Sequence, residues 1–265
     1  MSSKRRQARA DAAFSHQVFV CENYGDVIAR SIAFATIYEP GGVSVPAVTN
    51  SPTRHVLVAK DVVSAIKGCK GLVAVLDFAS FKNPGGGYMN GSLAQEEAIC
   101  AESTLYPVLA AFTDSYYVQN RSRTKGGLYS DRAIYVPGVV FIRDEQQCGY
   151  ADVIVAAAPN VKAAAEHGIG KDECRIALKN RIDAVMSIAA DNRVDTLIAG
   201  AFGCGVFGND PAEVAGMFKA WCDEHPGAIP TVVYAVPDPE GVNYRAFAEV
   251  FAADDADVPD VRETL

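Results

Sequence analysis

The sequence lacks both the long apolar runs of membrane proteins and the basic excess of many nucleic-acid binders. No run approaches the roughly 18 apolar residues that a membrane-spanning helix needs. An export signal has an apolar segment after its basic N-terminal residues, and no such segment follows the polar, basic N-terminus of this sequence. The 24 Lys and Arg are outnumbered by 32 Asp and Glu, which gives a net charge of −8. These absences predict a soluble cytoplasmic protein with no membrane partner and no direct nucleic-acid partner.

Cysteine pairs and histidine clusters are absent as well. The seven cysteines include no C-x-x-C pair, and the four histidines stand far apart, with no His, Cys or carboxylate at a metal-ligand spacing. Scattered, unpaired cysteines in helical and strand-like segments are typical of reduced thiols in a core. We therefore expect free core thiols, no structural metal and no cofactor.

Short β-branched runs alternate with helical patterns along most of the chain. Strands are predicted at 55–58, 72–78, 134–136 with 139–142, 153–157, 196–201 and 231–236. Helices are predicted at 61–68, 93–112, 172–192 and 211–224. This alternation, with 49% hydrophobic residues, predicts one α/β domain whose largely parallel sheet is covered on both faces.

The remaining segments complete a single domain over 1–265. Residues 1–45 are predicted to form an N-terminal helical extension, which includes a basic, Ala-rich helix at 4–13. Residues 113–131 are polar and are predicted to be a long loop. Residues 252–265 are predicted to be an acidic, frayed tail.

The first glycine-rich motif, N-P-G-G-G at 83–87, follows the most hydrophobic predicted strand. A glycine triplet at the carboxyl end of a strand indicates backbone that approaches a ligand closely or adopts positive φ. Ser92 and Gln95 match a capping box, which predicts a helix that begins at Ser92 and carries Glu96 and Glu97 in its first turn. Glu97 then lies on the inner face, where it is either a general acid or a carboxylate that pairs with the helix dipole, and the helix position alone leaves both open.

The second glycine-rich motif is G-C-G-V-F-G at 203–208, between a predicted strand and a predicted helix. Asp210 is predicted to be the N-cap and Pro211 the first helical residue, so loop N–H groups and the helix N-terminus would face an anion such as a diphosphate. The motif also matches the G-x-G-x-x-G dinucleotide fingerprint, but too few residues follow it to complete a dinucleotide-binding fold. Cys204 has no His in a neighbouring motif to activate it, which favours a packing role over a nucleophilic one.

The combined pattern G-G-G-x7-Q-E-E resembles the signature of microbial-type poly(ADP-ribose) glycohydrolases, which belong to the macrodomain superfamily. Further blocks agree in the same order, up to G-A-F-G-C-G-V-F-G-N at 200–209. Phe202 departs from the pattern, since Trp is expected there. The resemblance implies a macrodomain fold, a three-layer α/β/α sandwich with a mixed, largely parallel central sheet and an N-terminal helical extension.

The resemblance also implies roles for individual residues. Glu97 is the implied catalytic acid, and Glu96 is the partner that holds ribose hydroxyls. Phe207 would pack against the terminal ribose and so restrict cleavage to chain ends. The implied substrate contacts are Asn83, Gly85, Gly86, Gly87, Gln95, Gly203, Cys204, Gly205, Val206, Phe207, Gly208 and Asn209.

The implied activity is hydrolysis of ribose–ribose O-glycosidic bonds in ADP-ribose polymer, with release of ADP-ribose from chain ends. The expected partners are ADP-ribose polymer and ADP-ribosylated proteins, and the expected enzyme is a monomer that reverses ADP-ribosylation in the DNA damage response. A non-catalytic ADP-ribose-binding macrodomain is one alternative, which the intact Gln95-Glu96-Glu97 disfavours. A hydrolase of mono-ADP-ribosylated protein shares almost every residue and stays open.

Overall fold

A computed structural model describes residues 3–41, 43, 45 and 51–251. The acidic tail predicted at 252–265 lies outside the described residues. In the described part, seven strands form one sheet in the order β1-β4-β5-β3-β6-β7-β2. Their bounds are β1 (Thr36–Tyr38), β2 (Arg54–Val58), β3 (Val73–Phe78), β4 (Ala133–Arg143), β5 (Gln146–Ala156), β6 (Thr196–Ala199) and β7 (Thr231–Ala235).

The sheet is mixed and largely parallel, as predicted. The strands β5, β3, β6, β7 and β2 pair in parallel, whereas β4 is antiparallel to both β1 and β5. The two pieces predicted at 134–136 and 139–142 are one strand, β4, with a register shift between Val136 and Val139. Pro137 cannot donate a ladder hydrogen bond, and the N–H of Gly138 instead donates to Asp152 Oδ1 at 2.8 Å, so the strand bulges without ending.

Helices cover both faces of the sheet. They are α1 (Ser3–Phe34), α2 (Val62–Ile66), α3 (Gln95–Ala101), α4 (Leu105–Ala111), α5 (Gln119–Arg121), α6 (Val161–Glu166), α7 (Lys171–Asp191), α8 (Pro211–Glu224) and α9 (Val242–Phe251). Short 3₁₀ turns lie at Tyr88–Asn90 and Lys125–Gly127, and a π-helical turn lies at Thr113–Val118. Among the described helices, none combines the length and hydrophobicity that a membrane span requires.

Alternation along the buried strands divides the core into two layers. On β3, Val75 packs with α1 to α4, whereas Ala74 and Leu76 pack with α7 to α9. A parallel strand buried on both faces is apolar almost throughout, which is why 72–78 is the most hydrophobic strand of the sequence. The result is a three-layer α/β/α sandwich, as predicted.

Two predicted segments have a different structure. The helix predicted at 93–112 is two helices, because Ser103 and Thr104 leave the helical path to pair with β4 beyond the end of β1. The N–H of Thr104 donates to Val140 O at 3.0 Å, and the N–H of Val140 donates to Thr104 Oγ1 at 3.1 Å. The loop predicted at 113–131 contains the π turn, α5 and a 3₁₀ turn, so it is a largely helical connection.

The N-terminal extension is continuous with the fold. The helix predicted at 4–13 is the start of α1, which has a break at Tyr24, and β1 adds an edge strand to the sheet. The expectation of core thiols holds for Cys100, Cys174 and Cys222, and all seven cysteines are free. It is wrong for Cys21, which is exposed because it lies on the outer face of α1.

Candidate active site

The two glycine-rich motifs meet at a cleft of about 1100 Å³. It opens where β3, β6 and β7 end, since Phe78, Ala201 and Ala235 all line it. Ligands of open α/β sheets bind outside the carboxyl ends of parallel strands, and clefts of about 300 to 1000 Å³ hold ligands of nucleotide size. Among the predicted site residues that line it are Asn83, Gly86, Glu97, Gly203, Val206 and Phe207.

The triple-glycine loop passes directly over two carboxylates. Gly86 has φ +58°, and a Cβ built there would lie 2.7 Å from Glu97 Oε1 and 2.8 Å from Glu96 Oε2. Any other residue would combine the strain of a left-handed conformation with a collision against carboxyl oxygens. The prediction of positive φ in this loop is confirmed, and the close approach includes the protein's own carboxylates.

Glu97 lines the cleft, and a hydrogen bond from the glycine loop holds its carboxylate in place. The side chain is buried, with 9% of its surface exposed, and the N–H of Gly87 donates to its Oε1 at 2.9 Å. The backbone of the glycine loop therefore orients the carboxylate that the sequence predicts to be the acid. A group held in one orientation at a cleft is the arrangement that proton transfer to a bound substrate requires.

Glu96 is held deeper than Glu97. Only 3% of its surface is exposed, and its Oε2 accepts a hydrogen bond from the N–H of Ser80 at 2.7 Å. Its Oε1 has no hydrogen-bond partner among the described residues. Burial, and then repulsion from Asp77, raises the pKa of Glu96 well above its usual range.

Asp77 is a third carboxyl group at this site, and the sequence interpretation missed it. It is fully buried on β3, and neither carboxyl oxygen has a hydrogen-bond partner within the described residues. Burial raises the pKa of Asp77 well above its usual range, and the charge of Glu97 adds to this. A charged residue inside an otherwise apolar, fully buried strand was the available signal.

The start of the helix that carries Glu97 differs from the prediction. Helix α3 begins at Gln95 with Ala94 as its N-cap, and Ser92 makes no capping hydrogen bond. The amide of Gln95 is engaged by β3 instead: its Oε1 accepts from the N–H of Phe78 and its Nε2 donates to Leu76 O, both at 2.8 Å. Pairing of β3 with β6 ends at Val75, so the Gln95 side chain satisfies backbone groups at the end of the strand. Gln95 therefore anchors the helix, although it also lines the cleft.

The second loop is closed by an internal polar clamp. Gly203 has φ +72°, and a Cβ there would lie 2.4 Å from Asn209 Nδ2 and 2.5 Å from Ala158 Cβ. The Asn209 Nδ2 donates to the carbonyl oxygens of Pro159, at 2.9 Å, and Gly203, at 3.1 Å. Asn209, predicted to contact substrate, is thus a buried residue that shapes the loop.

Four consecutive backbone N–H groups, those of residues 205–208, donate no hydrogen bond to any described residue. Gly205 and Gly208 are exposed, and so is Val206, with 74% of its surface accessible. A run of unengaged backbone N–H groups at a cleft is a ready anion site. This geometry supports the predicted diphosphate contact.

The helix that follows the second loop contributes less than predicted. Asp210 is the N-cap of α8 and Pro211 its first residue, as predicted. However, Asp210 Oδ1 itself accepts from the N–H groups of Ala212, at 2.8 Å, and Glu213, at 3.1 Å. Since this carboxylate occupies the helix N-terminus, an anion would be bound by the loop and not by the helix dipole.

Two further residues of the second loop are packed as the sequence suggests. Burial raises the pKa of the Cys204 thiol to about 12, so the thiol is protonated near neutral pH. Phe202, which stands where Trp was expected, is fully buried with its ring centroid 5.5 Å from that of Phe78. An aromatic residue at this position therefore still packs in the core against Phe78, which lines the cleft.

Aromatic rings connect the two loops, a feature that the sequence interpretation missed. Tyr129 stacks on Phe81 of the first loop with ring centroids 4.5 Å apart, and its ring contacts Phe207 of the second loop edge-on at 6.2 Å. Tyr129 has φ +62°, a strained conformation for a non-glycine residue. The amide of Asn120 supports the same region by donating to Phe81 O at 3.0 Å, while Arg132 donates to Asn120 Oδ1 at 2.7 Å.

Metal ligands are not grouped in the part of the chain that the structure describes. There, no set of three or more His, Cys, Asp and Glu side chains is arranged to hold a metal ion. The absence of a metal and of a cofactor stays a prediction.

The comparisons with known proteins agree with the geometry. The family model for the catalytic domain of microbial-type PARG matches residues 16–144. Poly(ADP-ribose) glycohydrolase from Thermomonospora curvata is 30% identical over 93% of this chain and 100% of that chain, with a TM-score of 0.80. Its complex with the inhibitor ADP-HPD gives 30% identity over 92% and 99%, with a TM-score of 0.79.

A second bacterial enzyme is similar at the same sequence identity but over a smaller share of this chain. Poly(ADP-ribose) glycohydrolase from Deinococcus radiodurans in complex with ADP-ribose is 30% identical over 85% of this chain and 97% of that chain, with a TM-score of 0.76. Among curated proteins, no sequence matches this chain. The structural matches confirm the macrodomain-like fold that the resemblance implies.

Proposed function

Because the chain belongs to the microbial-type poly(ADP-ribose) glycohydrolase family, we propose that it hydrolyses the ribose–ribose O-glycosidic bonds of ADP-ribose polymer and releases ADP-ribose. The observation that carries the proposal is the position of Glu97, fixed by the Gly87 N–H on the floor of a cleft between two glycine loops. A non-catalytic binding domain would need the loops but has no use for an oriented carboxylate there.

The proposed chemistry follows from the bond that is cleaved. A ribose–ribose bond breaks through an oxocarbenium-like transition state, so the leaving oxygen needs a proton as the bond from the anomeric carbon to it breaks. Glu97 donates this proton. The carboxylate that results accepts a proton from the attacking water, whose oxygen bonds to the anomeric carbon, and Glu97 is then protonated again.

Glu96 and Asp77 support Glu97 in this scheme without flanking the sugar from the opposite side. A Cβ built on Gly86 would lie within 2.8 Å of carboxyl oxygens of both Glu96 and Glu97, so both carboxyl groups lie on the same side of the loop. Two like charges in a buried site disfavour each other's ionisation, which helps to retain protons in the cluster. We propose Glu97 as the principal acid and Glu96 as the residue that holds the loop and meets ribose hydroxyls.

The two loops would divide the substrate between them. The triple-glycine loop with Asn83 would hold the ribose beside the scissile bond, and the N–H groups of 205–208 would hold the diphosphate. We propose that Phe207 packs against the terminal ribose, which limits cleavage to chain ends. Its edge-on contact with Tyr129 supports a fixed position for that ring.

The biological setting is proposed from the sequence and the family. Recognition of ADP-ribose polymer and ADP-ribosylated proteins is proposed from the family, and the net charge of −8 argues against direct contact with nucleic acid. We propose a monomeric cytoplasmic enzyme that reverses ADP-ribosylation in the DNA damage response.

Product analysis tests the proposed function. The protein is incubated with ADP-ribose polymer and, separately, with mono-ADP-ribosylated protein, and products are separated by chromatography. We expect free ADP-ribose from the polymer from the first time points, with no burst of intermediate-length oligomers. Binding of ADP-ribose without turnover would indicate a non-catalytic domain, and turnover of the mono-ADP-ribosylated protein alone would indicate a hydrolase of protein-linked units.

A further inference from the structure

The N-terminal helix α1 is hydrogen-bonded to the turn that follows the triple-glycine loop. Arg6 Nε donates to Asn90 O and Arg9 Nε donates to Gly91 O, both at 2.8 Å. Both acceptors belong to the chain between the glycine triplet and α3. Hydrogen bonds from charged groups are about twice as strong as those between neutral groups, so these arginines are effective anchors for a turn.

The helix and the turn also meet backbone to backbone. Gly91 has φ +69°, and a Cβ there would lie only 2.1 Å from Arg6 O. On the same side of α1, Tyr88 OH donates to Ala13 O at 3.3 Å, and Gln17 Nε2 donates to Tyr88 OH at 3.2 Å. The contact therefore extends over three turns of the helix and leaves no room for a side chain at its closest point.

The turn is linked to the catalytic carboxylate through Gly87. The N–H groups of Asn90 and Ser92 both donate to Gly87 O at 3.0 Å. The N–H of the same Gly87 donates to Glu97 Oε1 at 2.9 Å. A displacement of the turn would therefore move Gly87, and with it the N–H group that orients Glu97.

The helix holds the far end of α3 as well. His16 Nε2 donates to the carbonyl oxygen of Ser103, two residues after α3 ends, at 3.0 Å. Helix α1 thus contacts the chain before and after the seven-residue helix that carries Glu97. A helix this short has little stability of its own, so its position depends on such tertiary contacts.

We propose that the first half of α1 is a positioning element for catalysis, in which Arg6 and Arg9 fix the turn at Tyr88–Asn90 and Gly91 and, through Gly87, the carboxylate of Glu97. The inference rests on the proposed role of Glu97. Neither arginine lines the cleft, so both are positioning residues and not catalytic ones. The basic helix predicted at 4–13 would then be required for full turnover.

The test is a double variant of the full chain, Arg6→Ala with Arg9→Ala, compared with Lys4→Ala with Arg5→Ala. The control removes the same charge from the same helix but no hydrogen bond to the turn. A misplacement of about 1 Å can cost on the order of 100-fold in rate. We therefore expect kcat on ADP-ribose polymer to fall at least tenfold, with KM and the Kd for ADP-ribose within about threefold, while the control keeps wild-type kcat.

Two further variants separate positioning from folding. Arg9→Lys keeps a donor for Gly91 O and should keep most of the turnover that Arg9→Ala loses. Gly91→Ala disturbs the contact from the turn side and should reproduce the loss of kcat. All variants are assayed well below their measured Tm, and the single variants Arg6→Ala and Arg9→Ala replace the double variant if it does not fold.

The outcomes are distinguishable. Wild-type kcat in the folded arginine variants would overturn the inference, and so would a lowered Tm with unchanged kcat, since both describe a purely structural contact. An equal loss in the Lys4→Ala with Arg5→Ala control would indicate a charge effect on the anionic polymer and would overturn it too. Failure of the proposed function is different, because the wild-type protein itself would then release no ADP-ribose.

Discussion

The backbone N–H of Gly87 donates to Glu97 Oε1 at 2.9 Å, so the last glycine of the triplet is tied directly to the carboxylate of Glu97. Gly87 and Glu97 are ten residues apart in sequence, and this hydrogen bond joins the glycine loop to the helix α3. A hydrogen bond from the backbone fixes the carboxylate orientation but leaves its second oxygen available to a ligand. This relationship gives the glycine motif and the Gln-Glu-Glu motif a common structural purpose.

Glu97→Gln should abolish hydrolysis of ADP-ribose polymer while leaving ADP-ribose binding largely intact. The amide oxygen of glutamine can still accept the Gly87 hydrogen bond, but the amide cannot deliver a proton to the leaving oxygen. Loss of general acid catalysis typically costs about 10² to 10⁴ in rate. Turnover is measured by ADP-ribose release, and binding by calorimetric titration.

The control for this experiment is Glu166→Gln, which removes the same charge at an exposed position on α6, away from the cleft. It should behave as wild type in both measurements. Near wild-type turnover in Glu97→Gln would show that another group supplies the proton.

Cys204→Ala should leave turnover within about twofold of wild type. Burial holds the pKa of this thiol at about 12, and only the thiolate is an effective nucleophile. A small alanine side chain also fits where the cysteine lies, between Gly203 and Gly205. Steady-state kinetics on ADP-ribose polymer check this, and loss of turnover with ADP-ribose binding intact would point to a cysteine-dependent reaction.

The glycines of the second loop should separate into two classes. Gly205 has ordinary φ and a Cβ there meets nothing within 4 Å, whereas Gly203 has φ +72° and is packed against Asn209 and Ala158. Gly205→Val should therefore weaken ADP-ribose binding at least tenfold with little change in Tm, because its side chain enters space that the ligand needs. Gly203→Val should lower both Tm and affinity.

Calorimetric titration and thermal melts of both variants decide this. Equal losses of Tm would mean that Gly205 is also constrained by the fold. Normal binding by Gly205→Val would place the diphosphate elsewhere. The sequence motif alone treats these glycines as equivalent, and only the backbone angles and neighbouring atoms distinguish them.

Periodicity predicted the buried strands better than the exposed ones. The buried strand β3 is apolar on both faces and was predicted within a residue of its bounds. The first half of β5 is polar and exposed, and the turn before it places Asp144 at φ +53° and Glu145 at φ +59° without a glycine. A hairpin whose turn lacks the usual Asn-Gly or Asp-Gly signal could not be recognised from the sequence.

For the candidate site too, the sequence predicts contiguous motifs but not the residues that only the tertiary structure brings there. Spacing along the chain predicted both loops and the two glutamates, because each motif is contiguous. Tyr129 and Asn120 lie within the segment predicted to be a loop, and they reach the site only through the three-dimensional path of that segment. Capping rules gave Asp210 correctly but misplaced Ser92, because the tertiary hydrogen bonds of Gln95 to β3 decide where α3 begins.

Asp77→Asn should stabilise the protein at neutral and alkaline pH. The pKa of Asp77 is raised by burial and by the charge of Glu97, and the groups that face it also include Glu96, Cys100 and Tyr117. A carboxyl whose pKa is higher in the folded state binds its proton more tightly there. Its contribution to stability is therefore complete below the unfolded value of about 3.9 and is lost as the pH rises through the raised folded pKa.

Asparagine resembles the protonated carboxyl in shape and carries no charge. The variant should therefore not lose stability as the pH rises through the folded pKa of Asp77. Thermal melts are recorded between pH 4 and pH 9. The two proteins should have similar Tm values at acidic pH, and the variant should have the higher Tm at higher pH. We expect the difference to be about 2 to 4 °C for each kcal/mol of stability gained. Asp26→Asn, at an exposed position on α1, should follow the wild-type curve throughout. If the wild-type and Asp77→Asn curves stayed parallel across this range, Asp77 would not be held neutral by the fold, and the buried cluster would have to carry its charge on another member.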